Sequence, residues 1–242
     1  MTRTVSSRFT DSSHGEHEPV ASTRYGRLVP ADDVLAHARM LVVRLWLPDR
    51  PGALGQVASR IGAVHGDVTA IDILERGAGR VIDELVVSLP DTTSVALLTK
   101  EIGAVDGVAV DHVRPTGADR PDSATAFLAL AADVAAAAPA DRCEALCRGL
   151  LQAADADWSV AIRGGETIVQ FGDSPELPWI LAFLEGSEHL DAARPANGPG
   201  DVMWTRLPTA GIAIAAGRAA RAVHERERTR LALLAQVVDA LL

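Results

Sequence analysis

The most constraining feature of this 242-residue sequence is an alternation of strand-like and helix-like segments between residues 41 and 113. Runs of aliphatic and β-branched residues predict strands at 41–47, 68–74, 81–89 and 108–113. Apolar residues at spacings of three and four predict one helix after the first strand and another after the third. This β-α-β-β-α-β order favours an antiparallel sheet with both helices covering one face.

Glycine and proline residues mark the ends of these elements. The segment Pro-Asp-Arg-Pro-Gly at 48–52 ends the first strand and opens the first helix. Gly66 lies where that helix would end, and we expect it there because glycine adopts a left-handed backbone without steric cost. Residues 76–80 predict a glycine turn between the second and third strands.

The second half of the chain has a different order of elements. A stretch containing Pro, Gly and Asp at 116–123 predicts a linker, and the polar residues 1–38 predict a flexible tail. The patterns beyond the linker predict helices at 124–137, 142–154 and about 219–241, strands at 158–162, 167–171, 202–207 and 211–215, and a short helix or loop at 175–190. We therefore predict two folded units, at 39–115 and 124–242.

Composition narrows the classes of function. The formal net charge is −9 and the sequence pI is about 5.2, which argues against nucleic acid binding as the main function. The sequence shows no apolar segment typical of a secretory signal or of a membrane span, so we expect no membrane partner. Cys143 and Cys147 form no disulfide framework, which fits a reducing cytoplasm. They lie four apart on a predicted helix and could share a face as a metal or redox site, but no companion His or Cys lies nearby in sequence, which favours core packing.

Two short motifs in the first unit carry a resemblance to a known family. The first strand leads into the turn Asp-Arg-Pro-Gly-Ala-Leu at 49–54, and the first helix is followed by His-Gly-Asp-Val at 65–68. With this spacing, residues 40–115 resemble the ACT domain family over about a third of the chain. The resemblance implies a ferredoxin-like fold that pairs with a second copy and binds an amino acid at the pairing interface.

The resemblance also implies the ligand-binding positions. These are Asp49, Pro51, Gly52, Ala53 and Leu54 in the turn, and Asp67 and Val68 after the first helix. In the family, the second set often comes from the other copy. Many members have an asparagine near the position of Asp67, whereas an aspartate accepts hydrogen bonds from an ammonium group and repels a carboxylate.

A free amino acid carries a carboxylate and an ammonium group, and these residue types suit both. The turn opens the first helix, where unpaired backbone N–H groups face an anion. Gly52 and Ala53 allow a carboxylate to approach that backbone, and Asp49 or Asp67 can accept the ammonium group. The alternative interpretation is that Pro-Gly is only a good turn and that Asp49 caps the helix.

The second unit resembles GAF-like sensor domains. The resemblance is carried by residues 156–162, the Gly164-Gly165 hairpin, residues 207–214, and the segment 223–228 before the last apolar stretch. Such domains often have an aromatic residue near position 223, where this chain has valine. The resemblance implies a sheet that binds a small molecule or a partner, together with a helical dimer face.

The other ionisable groups favour structural roles. Asp83 and Glu84 point to opposite faces of a strand, and we expect both on the surface rather than as a catalytic pair. We expect a solvated, ion-paired start of the last helix, formed by His224, the basic residues from Arg218 to Arg230 and the interleaved Glu225 and Glu227. The chain contains no Gly-Lys-Ser/Thr phosphate loop and no Gly-x-Ser-x-Gly elbow.

These patterns predict an α+β protein, with a ferredoxin-like βαββαβ domain followed by a small GAF-like domain. The favoured function is a non-enzymatic, homodimeric regulatory protein that binds an amino acid, without a cofactor or a metal. The alternative is a ligand-free ACT-like scaffold that acts through protein partners. An enzyme with its site in residues 124–242 is the third hypothesis, which the few His, Lys and Cys residues there disfavour.

Overall fold

The computed structural model describes residues 38–187 and 200–242. The tail predicted at 1–38 therefore lies almost entirely outside the described residues, as does the end of the segment 175–190. The described part contains two antiparallel four-stranded sheets and six α-helices. None of these helices is long and apolar enough to cross a membrane.

The first unit contains the six elements that the sequence predicts, in the predicted order. They are β1 (Ala38–Pro48), α1 (Ala53–Ala63), β2 (Asp67–Gly77), β3 (Arg80–Pro90), α2 (Val95–Gly103) and β4 (Ala109–Thr116). The strand order is β2-β3-β1-β4, and every neighbouring pair is antiparallel. The two central strands, β1 and β3, therefore have neighbours on both sides.

One face of this sheet forms an apolar core with α1 and α2. The odd-numbered residues of β1 from Leu41 to Leu47 are buried there, because successive side chains on a strand alternate between faces. Val57 and Ile61 of α1 and Leu98 and Ile102 of α2 cover them. Complete burial of each such side chain contributes roughly 1.5–3 kcal/mol, which holds both helices on this face.

The end of α1 differs from the prediction in one detail. His65, with φ 61°, adopts the left-handed backbone that the sequence assigns to Gly66. Gly66 is needed for a different reason, since a Cβ atom there would lie 2.8 Å from Cγ2 of Ile61. Close packing against the helix, rather than backbone handedness, therefore favours glycine at this position.

The second unit follows within a few residues of β4. Its elements are α3 (Ser123–Ala136), a 3-10 turn (Pro139–Asp141), α4 (Arg142–Ala153), β5 (Trp158–Arg163), β6 (Glu166–Gly172), α5 (Leu177–Gly186), β7 (Val202–Leu207), β8 (Ile212–Gly217) and α6 (Glu225–Asp239). The strand order is β6-β5-β8-β7. Helices α3, α4 and α6 cover one face of this sheet, and α5 packs on the other.

The last helix begins later than predicted. It starts at Glu225 rather than near residue 219, because Ala220 has a left-handed backbone with φ 56° that a helix cannot continue through. His224 is the N-cap residue, and its backbone N–H donates a hydrogen bond to Glu227. The chain from β8 to α6 consequently passes beside the first unit as an irregular segment.

Candidate functional site

The predicted ligand turn lies at the exposed end of β1. Gly52 is the N-cap of α1 and has φ 83°, a left-handed backbone that favours glycine. Asp49, Pro51 and Gly52 are exposed, whereas Ala53 is buried in the core. The idea that Asp49 caps the helix is wrong, because α1 has no side-chain cap.

Asp49 instead contacts the hairpin formed by β2 and β3. Its carboxylate lies 3.4 Å from a guanidinium nitrogen of Arg76, and its backbone N–H donates to the carbonyl of Gly79. Both side chains of the ion pair are about half exposed, so the pair is weak and accessible to a ligand. Leu54, the last residue of the predicted turn set, is half-buried against the core.

Asp67 and Val68 lie at the other end of α1. They begin β2 and pair with Ser88 and Val87 of β3. The helix between the turn and Asp67 has eleven residues, which corresponds to about 16 Å at 1.5 Å per residue. One chain therefore does not bring the two predicted sets of ligand residues together.

Asp83 is buried, so its predicted place on the surface is wrong. It is 2% exposed and shares the helix-covered face of β3 with Val81 and Leu85. Its Oδ1 has no hydrogen-bond partner among the described residues. Burial raises the pKa of Asp83 to about 6, although Arg76 opposes that shift.

Glu84 is also buried, on the opposite face of the same strand, where the second unit covers it. Its Oε2 accepts a hydrogen bond of 2.7 Å from Arg44 of β1. The same guanidinium group lies 3.1 Å from Oε1 of Glu227 in α6. Arg218, at the end of β8, donates to both carboxylate oxygens of Glu227 at 2.7 Å. Two arginines and two glutamates thus form a buried network that joins the units.

Backbone groups complete this network. The carbonyl of Ala222 accepts from both Arg44 and Arg218, at 2.8 and 2.7 Å. Burial by itself would raise the pKa of Glu227, but Arg218 and Arg44 outweigh it and lower that pKa to about 2. The glutamate is therefore ionised at neutral pH, and every charge in the cluster has an opposite charge in contact.

The predicted solvated start of the last helix is wrong for three residues. Arg218, His224 and Glu227 are 2%, 5% and 8% exposed. The His224 ring lies edge-on to Trp46, and its Nδ1 lies 3.1 Å from Glu75 of β2. Burial lowers the pKa of His224. This end of α6 is buried against the outer face of the first sheet.

Cys143 and Cys147 take the structural role that the sequence favours. Cys147 is fully buried in the core of the second unit, and Cys143 packs against that core. A hydrogen bond with Cys143, together with burial, raises the pKa of Cys147. No group of three or more His, Cys, Asp or Glu residues within the described ranges could hold a metal ion.

Comparison with known proteins adds weak likenesses only. No family model matches the chain, and no curated protein matches its sequence. The crystal structure of an unknown protein from Galdieria sulphuraria aligns with 39% of this chain and 64% of its own, at 17% identity and a TM-score of 0.29. A formyltetrahydrofolate deformylase from Pseudomonas putida KT2440 aligns with 37% of this chain and 36% of its own, at 17% identity and a TM-score of 0.26. This chain thus spans less than two thirds of each, and neither likeness assigns a function.

Proposed function

We propose that this protein is a non-enzymatic sensor that binds an amino acid between two copies of its first unit. The observation that carries the proposal is the separation of the two predicted ligand sets along α1. A pair of chains related by a two-fold axis would place the turn of one beside Asp67 of the other. The first unit would then be an ACT-type, ferredoxin-like domain, and the second a GAF-like domain.

The chemistry of each half suits one end of an amino acid. The start of α1 has no side-chain cap, so the first-turn N–H groups can bind a carboxylate near Gly52. Asp67 is exposed and supplies a carboxylate for the ammonium group. Asp49 offers a second acceptor at the turn once its weak contact with Arg76 is broken.

Strand β2 provides a route from this site to the second unit. It begins at Asp67, and further along it Asp72 contacts Arg226 and Arg230 of α6, while Glu75 contacts His224. A ligand that fixes the start of β2 would bias the packing of α6 on the same strand. Such an effect would couple two sites through one shared element.

The main alternative is a ligand-free scaffold. Strand β2 is an edge strand, and its Ile71 is 49% exposed, which suits pairing with another chain without any small molecule. An aspartate at position 67, where many ACT domains have an asparagine, favours this alternative, because it would repel the carboxylate of an amino acid.

A second candidate site lies in the second unit. A cavity of about 560 Å³ opens beside α5, between Leu181 and Leu184 on one side and the ends of β5 and β8 on the other. Arg206 and Glu185 line it as charged groups of opposite sign. The volume is in the range of small-molecule sites, so a nucleotide or another larger metabolite would fit here rather than at the turn.

The proposal is tested by thermal denaturation of the full chain with each of the twenty amino acids and with common nucleotides. A ligand of the folded state raises the melting temperature by mass action. We expect one amino acid to do so, and we expect Gly52→Asp and Asp67→Ala each to abolish the shift. Gly107→Asp is the matched control, since Gly107 is exposed, also has a left-handed backbone, and a Cβ atom there would make only an ordinary contact of 3.4 Å with Pro48.

The other outcomes separate the alternatives. A nucleotide shift that survives both substitutions would move the site to the cavity beside α5. No shift with any compound, from a protein that is dimeric by light scattering, would favour the scaffold. Conversion of any amino acid by the purified protein would contradict a non-enzymatic function.

A further inference from the structure

A cavity of about 370 Å³ lies where the two units meet, away from both sites described above. Its walls come from the end of β4, the segment 117–122, and the facing sides of α3 and α4. This volume is within the range of small-ligand pockets. The cavity is thus large enough for a metabolite of a few carbon atoms, and such a ligand would touch both units.

Two arginines supply the charge of this cavity. Arg114 of β4 forms an ion pair with Asp155, and its Nε is buried without a hydrogen-bond partner among the described residues. Arg120 lies 3.4 Å from Glu84 and 3.8 Å from Asp155, which are long distances for charge-assisted hydrogen bonds. Both guanidinium groups therefore have donor capacity that the protein leaves unused.

Asp155 is the shared partner of these arginines, and it cannot satisfy them all. Arg221 also reaches it, at 3.5 Å, although Arg221 pairs more closely with Asp157 at 2.6 Å, so Asp155 is left mainly to Arg114 and Arg120 within a cluster of three guanidinium groups. Asp155 has φ 57°, an uncommon left-handed backbone for a residue other than glycine. Burial lowers the pKa of Arg114, although Asp155 opposes that shift, so a further anion would relieve the cost of this charge.

The wall opposite the arginines is mainly apolar. Ala126, Ala129 and Leu130 of α3 line it, together with Gly149 and Ala153 of α4. A Cβ atom on Gly149 would lie 2.1 Å from Leu130, so glycine at 149 allows the two helices to approach closely. Cationic groups on one side and small apolar groups on the other match an amphipathic anion rather than a fully polar one.

We propose that this cavity binds a small organic carboxylate, with its carboxylate group on Arg114 and Arg120 and its aliphatic body against α3. A planar guanidinium group binds a carboxylate through paired hydrogen bonds, which gives this class of ligand its orientation. Asp133 also lines the cavity and can accept hydrogen bonds from an ammonium group. The same arginines can therefore bind the carboxylate of a simple organic acid or of an amino acid. The site is separate from the interface between chains proposed above.

Isothermal titration of the full chain with 4-methylpentanoate, L-leucine and inorganic phosphate tests the proposal. We expect saturable binding of 4-methylpentanoate, of L-leucine, or of both, and stronger L-leucine binding would assign the ammonium group to Asp133. Arg114→Gln and Arg120→Gln should each weaken binding by about tenfold or more. Arg148→Gln is the matched control, because Arg148 is exposed on α4 outside the cavity.

A second variant keeps the test decisive if an arginine variant fails to fold. Ala126→Leu fills the cavity and retains both arginines, and it should abolish binding without lowering the melting temperature of the free protein. Gly52→Asp should leave this binding unchanged, which separates the cavity from the turn. The proposal is overturned if neither carboxylate binds, if phosphate binds as tightly with the same arginine dependence, or if Ala126→Leu binds like the wild type.

Discussion

The two faces of the first sheet are both buried, but by opposite kinds of side chain. Val43 of β1 faces the two helices in an apolar core, whereas its neighbour Arg44 faces the second unit. Both residues are almost fully buried, at 0% and 2% exposure. A strand with one charged position in an apolar run therefore need not have a solvent face, because the charge can lie in an interface.

The two faces also differ in how they respond to change. Truncation of an apolar side chain costs only the stability that its burial and packing contributed. A charge in a buried network depends on every partner, since removal of one leaves the others desolvated and unpaired. The network of Arg44, Glu84, Arg218 and Glu227 should therefore be the most sensitive part of the molecule.

The largest expected effect is that of Glu227→Gln. This change leaves Arg44 and Arg218 buried with one carboxylate, Glu84, instead of two. We expect the free energy of unfolding to fall by about 3–5 kcal/mol, measured by urea denaturation at pH 7. Glu144→Gln is the matched control, because the Glu144–Arg148 pair is at least half exposed and should be worth less than about 0.5 kcal/mol.

The pH dependence gives a second view of the same residue. The pKa of Glu227 is about 2 in the folded protein, below its ordinary value of 4.5. Its stabilising contribution should thus be complete above about pH 4.5 and be lost as the pH falls towards 2. A Glu227→Gln variant with the same acid profile as the wild type would show that the network does not stabilise the fold.

The next effect is that of Val43→Ala on the opposite face. Val43 is fully buried between β1 and the helices, so the change removes two methyl groups and leaves a small cavity. We expect a loss of roughly 2 kcal/mol in the free energy of unfolding, independent of pH and salt. A larger loss than for Glu227→Gln, measured under the same conditions, would reverse the proposed ranking of the two faces.

The sequence predicts the apolar face and misses the charged one for a physical reason. Alternating apolar residues in β1 and β3 can only be stabilised by burial, so their pattern indicates both the strands and the core. A charged residue carries no such information, because the sequence does not distinguish an exposed charge from a buried and paired one. Arg44 and Glu84 lie far along the chain from Arg218 and Glu227, and only the docked units bring the two pairs together.

The two candidate sites likewise differ in whether the sequence predicts them. The turn at Gly52 is local, and its left-handed glycine follows from the Pro-Gly sequence. The cavity at Arg114 and Arg120 depends on how β4, the connecting segment and α4 meet, which no local pattern predicts. One feature of the connecting segment could have indicated where the cavity lies. Arg120 is a charged residue between Gly117 and Pro121, which are residues typical of a turn.

A smaller effect, with the opposite sign, is expected for Asp83→Asn. Asp83 lies on the apolar face with a raised pKa of about 6, so its ionisation opposes folding. The wild type should lose stability as the pH rises from about 4 to about 6, and the amide should not. A pKa raised from 3.8 to about 6 corresponds to roughly 3 kcal/mol at pH 7, and the desolvation of a buried amide offsets part of this gain. We therefore expect the variant to be more stable by about 1 kcal/mol in urea denaturation at pH 7.

Asp91→Asn is the control for that comparison, since Asp91 is exposed just beyond β3. Its substitution should leave the pH profile unchanged. If Asp83→Asn were instead destabilised at pH 7, an ionised Asp83 would have to be stabilised by Arg76. The apolar face would then also contain a charge that stabilises the folded protein.

The smallest expected effect is that of Asp72→Asn, at the edge of the charged face. Asp72 lies 2.7 Å from Arg230 and 3.1 Å from Arg226, and its side chain is 19% exposed. Partial exposure weakens these pairs, so we expect a loss of less than about 1 kcal/mol that shrinks further in 1 M salt. The loss caused by Glu227→Gln should persist at that salt concentration, because water and ions do not reach the buried network. Equal salt sensitivity in the two variants would mean that the interface opens to solvent and that its charges act as surface pairs.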